Sequence, residues 1–274
     1  MSTKTIIVTR PSGQARQLIE VLTIAIEESG VAKRSFPEVL SLPLLTIVPK
    51  TDEALAEQIV AVLNQVDLAI FVSPNAIESV MRLLERDWQD LAKKIIPIGV
   101  MGGSSHQALK NHGIGLERMP TPIILPESNE NWDSEGLWQE LQSLHWDWEN
   151  KKVVIFKGEG GRDWLADTLK KAGAKVDAIS TYSRVPLDIE HSAWQAIRDI
   201  DLSKSLWLLT SSEAVRYLGE VFKDQFTQNL NSACALCPHH NIADAAEFIG
   251  FSEIFTSKPG DEALVKSTLA WLTL

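Results

Sequence analysis

A chain of 274 residues with a formal net charge of −10 holds 45% hydrophobic and 23% charged residues. That balance excludes a disordered chain and leaves room for one large domain or two of ordinary size. The acidic excess argues against a nucleic-acid partner, which needs concentrated Lys and Arg, and no apolar run approaches the roughly 20 residues that cross a bilayer.

Residues 1–10 lead straight into a strand-like Thr5-Ile6-Ile7-Val8-Thr9 without the basic and apolar stretches of a secretion signal, so a cytoplasmic location is expected. Next, Leu18, Leu22, Ala25 and Ile26 share one face of a helix that should end at Gly30. Leu55, Ile59 and Leu63 mark a second helix, begun by Thr51 or Asp52. The near-continuous apolar runs at 6–9, 67–72, 95–98, 153–156, 206–210 and 233–237 suit parallel strands buried on both faces. Their alternation with helical segments predicts a doubly wound α/β architecture.

Residues 117–150 interrupt this rhythm with Pro120, Pro122 and Pro126, a polar stretch at 128–133 and a helix from about Ser134. They read as a connection across the surface rather than a third domain, with Trp138, Trp146 and Trp148 anchoring it to the core.

The two sides of this segment repeat each other. Thr5-Ile6-Ile7-Val8-Thr9-Arg10 with its helix to Gly30 resembles Val153-Val154-Ile155-Phe156-Lys157-Gly158 with a helix to Gly173. Phe71-Val72-Ser73-Pro74-Asn75-Ala76-Ile77 resembles Leu209-Thr210-Ser211-Ser212-Glu213-Ala214-Val215, and Ala108-Leu109 before Gly113 resembles Ala245-Ala246 before Gly250. Three matches in one order predict two similar α/β units.

Ligands of open α/β sheets bind beyond the carboxyl ends of strands, where helices begin. Ser73-Pro74-Asn75 places an N-cap serine before a first-turn proline, and Ser211-Ser212 is the equivalent turn in the second repeat. Lys157-Gly158-Glu159-Gly160-Gly161-Arg162 is a glycine-rich turn whose amides can approach an anion. Helix capping alone also explains the serines. The glycine turn lacks the G-x-G-x-x-G spacing of a dinucleotide site, which disfavours a nucleotide-using enzyme.

Cys234 and Cys237, near His239 and His240, suggest a metal site, but they read better as core residues on opposite faces of a strand. No metal or redox role is expected. His106, His112, His145 and His191 are scattered, Tyr217 reads as a packing residue within a helix, and Tyr182 follows a strand near a domain crossing.

These elements resemble, across nearly the whole chain, the uroporphyrinogen-III synthase family. The matching motifs are Val8-Thr9-Arg10-Pro11, Phe71-Val72-Ser73-Pro74-Asn75-Ala76, Pro97-Ile98-Gly99, Ser134-Glu135-Gly136-Leu137 and the 157–162 turn. They continue with Tyr182-Ser183-Arg184, Thr210-Ser211-Ser212-Glu213-Ala214-Val215, and His239 with Ile242-Ala243.

The resemblance implies a cofactor-free hydro-lyase of haem biosynthesis that closes the linear tetrapyrrole hydroxymethylbilane with its last ring inverted. It implies two doubly wound parallel-sheet domains joined by two strand-like linkers. One domain would hold 1–38 with 186–274 and the other 39–185, the chain crossing near 36–40 and near 184–186, with the ligand in the cleft between them. Tyr182 is the implied catalytic residue, because a phenol protonated at neutral pH can donate a hydrogen bond to the departing hydroxyl. Substrate carboxylates would meet Arg10, Ser73, Pro74, Asn75, Gly99, Ser104 or its neighbour Ser105, Lys157, Gly158, Gly160, Arg162, Thr210, Ser211, Ser212 and His239.

The expected partner is this small molecule, not a nucleic acid or a membrane. A monomer with mobile domains is expected, and a transient contact with hydroxymethylbilane synthase is left open. The residues by themselves also permit a non-catalytic two-domain binder of a small anion. An oligomeric interaction module would need a large apolar surface that no sequence displays.

Overall fold

The computed structural model describes residues 3–30, 36–91, 94–117, 119–128 and 132–274. In chain order its elements are β1 (Thr5–Val8), α1 (Ser12–Ser29), β2 (Glu38–Ser41), β3 (Leu45–Pro49), α2 (Glu53–Leu63), β4 (Leu68–Phe71), α3 (Pro74–Leu84) and α4 (Trp88–Leu91). There follow β5 (Ile98–Val100), α5 (Gly103–Asn111), β6 (Ile123–Ile124), α6 (Ser134–Ser143), β7 (Lys152–Gly158), α7 (Trp164–Lys171) and β8 (Lys175–Pro186). The chain closes with α8 (Ala193–Arg198), β9 (Ser205–Leu208), α9 (Ser212–Gln225), β10 (Cys234–Cys237), α10 (His240–Phe248), β11 (Glu253–Thr256) and α11 (Asp261–Leu272).

Two compact units result, one of Met1–Thr46 with Val185–Leu274 and one of Ile47–Arg184. The first has a five-stranded sheet, β11-β10-β9-β1-β2, and the second a six-stranded sheet, β3-β8-β7-β4-β5-β6. Apart from the extra β3, the two orders correspond strand by strand: β2 with β8, β1 with β7, β9 with β4, β10 with β5 and β11 with β6. This is the pairing that the three sequence matches predict.

Alternation along each strand explains how a continuous apolar run feeds two cores. In the first unit Ile7, Trp207, Ala235 and Cys237 face a cluster completed by α8, α9 and α10. Ile6, Val8, Leu206, Cys234 and Leu236 face α1 and α11 on the other side. In the second unit Phe71, Ile98, Val100 and Phe156 join α2 to α5, while Leu68, Ile70, Val153 and Ile155 join α6 and α7.

Cys234 and Cys237 therefore point to opposite faces of β10. Burial pushes the Cys237 thiol up to about 12, so at pH 8 about one such thiol in ten thousand is ionised. Iodoacetamide should leave Cys237 unmodified in the folded protein over a period that labels it fully in urea. Equal labelling in both states would remove it from the core.

Several expectations need correction. The chain leaves the first unit after Thr46, not near 36–40, because Glu38–Ser41 pairs in parallel with β1, Thr5 opposite Glu38. The apolar run at 95–98 is not a strand: Ile95 is 66% exposed and pairing begins only at Ile98. Residues 117–150 are more than a surface connection, since they supply edge strand β6 and helix α6 to the second unit. Trp138, Trp146 and Trp148 pack together there at 5.6 Å between neighbouring rings. Of the polar stretch at 128–133, residues 129–131 lie outside the described residues. Tyr182 sits inside β8 instead of following a strand.

Candidate functional site

In the second unit, parallel β4, β5 and β7 bring Ser73, Ser104 and Lys157 to one edge of the sheet, at the strands' carboxyl ends. Ser73 caps α3: its backbone is extended and its Oγ accepts from the Ala76 amide at 3.2 Å. Pro74 takes the first helical position, where no amide partner is needed, and Asn75 follows in the same turn. Ser73 Oγ also lies 3.0 Å from Tyr182 Oη. Either hydroxyl can donate across this contact, and when Ser73 donates, the phenol proton is left for another acceptor.

Tyr182 arrives through a register irregularity in β8: Lys157 pairs with Ser180 but Gly158 pairs with Tyr182, which leaves Thr181 as the extra residue. Its ring is buried and packs on Gly158 so closely that a β-carbon there would lie 2.7 Å from ring atoms. The glycine turn then bends through Gly160 and Gly161, at φ of 66° and 82°, conformations open to glycine at little cost. Glu159 donates its amide to the Tyr182 carbonyl at 2.8 Å, fastening the turn to β8.

Tyr182, Gly158, Gly160 and Gly161 line a recess of about 150 Å³ with Met101, Ser134, Lys157, Arg162, Asp163 and Arg184. Lys157 donates to Asp163 and Arg162 to Glu135. The Lys157 hydrogen bond and charge hold the Asp163 carboxyl below its ordinary range.

One of the expected contacts falls differently. Gly99 is a core glycine, buried in β5 under Leu137 and Ile70, which would lie 3.5 and 3.2 Å from an added β-carbon. It makes room for α6 and presents no surface to a ligand. At the start of α5, Ser104 is exposed and Ser105 buried. Trp132 covers Gly102 and Gly103 beside them.

In the first unit, parallel β1, β9 and β10 gather Arg10, Thr210, Ser211, Ser212 and His239 at the equivalent edge. Arg10 pairs with Asp261 at 2.6 Å. Ser211 caps α9 through the Ala214 amide, and Ser212 donates to the Asn241 carbonyl at 3.0 Å, tying α9 to α10. His239 caps α10 by accepting from the Asn241 amide on Nδ1, which leaves the ring proton on Nε2. Thr210 stands half-buried between β9 and the Ser211 cap. Tyr217 is a packing residue whose hydroxyl donates to the Leu187 carbonyl.

Residues 28–266 match the family described as uroporphyrinogen-III synthase HemD. The chain belongs to this family.

It is similar to the uroporphyrinogen-III synthase of Escherichia coli, 26% identical over 271 residues that cover 96% of this chain and 98% of that one. The Proteus mirabilis synthase is 28% identical over 186 residues, 67% of this chain and 81% of the relative. Among solved structures, a mutant uroporphyrinogen III synthase from the extremely thermophilic bacterium Thermus thermophilus superposes with a TM-score of 0.61 at 15% identity, covering 98% of each chain. The uroporphyrinogen-III synthetase of Helicobacter pylori gives 0.61 at 16%, covering 98% of this chain and 100% of that one. These two likenesses carry the fold. The two doubly wound α/β units described above are thus the architecture of uroporphyrinogen-III synthases.

Sequence reading assigned no role to Arg184, Asp163 or Glu135. Arg184 follows Tyr182 by two residues, so both project from the same face of β8. Its guanidinium lies 5.8 Å from the Tyr182 ring centroid and donates to the Glu159 carbonyl at 2.9 Å. The i, i+2 spacing in a strand was the available signal. Glu135 is 27 positions from Arg162, and no spacing rule connects them.

Proposed function

We propose that this chain dehydrates and cyclises hydroxymethylbilane to uroporphyrinogen III, inverting the last pyrrole ring, as a hydro-lyase that uses neither metal nor organic cofactor. The family membership supports the reaction. The observation that carries the assignment of roles is the Tyr182–Ser73 pair, 3.0 Å apart beside the recess that Lys157 and Arg162 line.

The chemistry asks little of the protein in bond breaking. A pyrrole donates electrons as the terminal C–O bond opens, and Tyr182 hands its proton to the leaving hydroxyl, which departs as water. The substituted carbon of the last ring attacks the cation and forms a spiro centre. That centre reopens and closes with the ring inverted, and the proton lost as the ring regains aromaticity restores the phenol. Selectivity is the harder task, because the bilane also closes unaided without inversion. A preference of about 3 kcal/mol gives roughly a hundredfold excess of the inverted product. Holding the flexible polyacid in one near-attack shape can supply it. In this reading carboxylates are held in the second unit at Lys157, Arg162 and the helix starts of Ser73 and Ser104, and the first unit offers the same kind of partners in Arg10 and the helix starts of Ser211 and His239, each start adding about 0.3–1 kcal/mol. Capping serines and turn amides carry no net charge, so an acidic protein can hold an acidic substrate.

We further read the protein as a cytoplasmic monomer supplied by hydroxymethylbilane synthase; among the described residues no helix is long and apolar enough to cross a membrane. The test supplies hydroxymethylbilane and separates the porphyrin isomers after oxidation. An excess of type III over type I is expected. Type I alone would leave a non-catalytic anion binder as the better account.

A further inference from the structure

Lys157 runs from the end of β7 into the recess with its side chain 15% exposed, and its ammonium is closed by Asp163, whose side chain is 62% exposed. Asp163 stands at the N-cap position of α7, where an aspartate ordinarily accepts from first-turn amides, yet it makes no cap hydrogen bond. Its carboxylate has turned from the helix to the lysine. Arg162, on the same turn, is closed in the same way by Glu135 in the first turn of α6. Both cations that the turn directs toward the recess are thus met by carboxylates of the chain itself.

We infer that Asp163 is a stand-in for a substrate carboxylate, holding Lys157 until a carboxylate of the incoming polyacid displaces it. The inference rests on the synthase reading and deepens it by naming a residue that sets substrate affinity. Exchange conserves the number of ion pairs at Lys157, so the first carboxylate to bind gains little net Coulomb energy. The displaced Asp163 is free to turn to the uncapped amides of α7, which offsets the loss of its lysine. Gly160 and Gly161, with positive φ, give the turn freedom to adjust. The arrangement keeps Lys157 oriented in the absence of substrate and keeps binding reversible.

Asp163→Asn tests this, because asparagine is close in size and caps helices as well as aspartate but carries no charge. With hydroxymethylbilane as the probe, KM should fall about two- to fivefold, the scale of an exposed ion pair. It should also rise more steeply as salt increases from about 50 to about 200 mM, because an unexchanged lysine now meets the substrate. Lys157→Met should raise KM and erase the effect of Asp163→Asn in the double variant. An unchanged or raised KM in Asp163→Asn, with an unchanged melting temperature, overturns the inference, as does a full Asp163→Asn effect in the Lys157→Met background. Should the asparagine variant fold poorly, Asp163→Ser, which also caps, answers the same question. Failure of the wild-type protein to form type III product would instead overturn the synthase reading, whatever the variants do.

Discussion

Replacing Tyr182 by Phe should lower turnover about a hundredfold, the low end of what a positioned acid contributes, while the protein still folds. The ring is buried in the core of the second unit and remains in the variant. What disappears is one hydroxyl whose partner is Ser73 at 3.0 Å. Losing a single hydrogen bond of this kind costs about 0.5–1.5 kcal/mol, and Ser73 keeps its bond from the Ala76 amide. Thermal unfolding should therefore shift by a few degrees at most while kcat collapses. The fraction of type III isomer should also fall, as spontaneous closure competes with a slowed enzyme. Turnover equal to that of the wild-type protein would strip Tyr182 of its role as proton donor.

Gly158→Ala should do comparable damage by a different route. Its added methyl would lie 2.6 Å from Arg184 Nη1 and 2.7 Å from Cε2 and Cζ of Tyr182. The arginine tip can swing aside. The tyrosine ring, 3% exposed, has no solvent to swing into and can only shift against its packed neighbours. Overpacking of this kind costs about 1–3 kcal/mol. Relief requires Cζ to move, and the hydroxyl moves with it. A displacement near 1 Å is worth about a hundredfold in rate. The double variant Gly158→Ala/Tyr182→Phe should be scarcely slower than either single one, because both changes remove the same function. Independent, multiplying losses would show that the glycine matters for something other than the position of this phenol.

Much of the fold was legible because its central strands are buried on both faces. Runs such as Leu68–Phe71 and Val153–Phe156 have no polar positions to dilute the signal, and Ser73 and Ser211 announce the helices that follow. The internal repeat was readable for the same reason, since it is carried by these strands and caps. The edges were harder. Glu38–Ser41 is only half-buried and has no continuous apolar face, so its pattern puts the first domain crossing too early. In Lys175–Pro186 exposed and buried positions mix, and Tyr182 reads as lying beyond a strand when it lies within one.

At the site, the residues that end strands or begin helices were identifiable from capping chemistry alone. Gly99 misleads because a glycine that admits a neighbouring helix and one that admits a ligand look alike in sequence. The counter-charges were invisible for another reason. Asp163 sits where a cap is expected, and only coordinates reveal that its carboxylate has turned to Lys157.

The interrupted make-up of the first unit has a consequence for synthesis on the ribosome. Thr5 of β1 finds one neighbour at Glu38 but the other only at Ser205. The whole of Ile47–Arg184 is translated in between, as one contiguous stretch with its own pair of cores. Domains tend to fold as units while the chain emerges, and pairings distant in sequence are the slow ones to form. The inserted unit can therefore mature first. The opening strand waits, apolar and half-paired, until the last third of the polypeptide arrives to cover it.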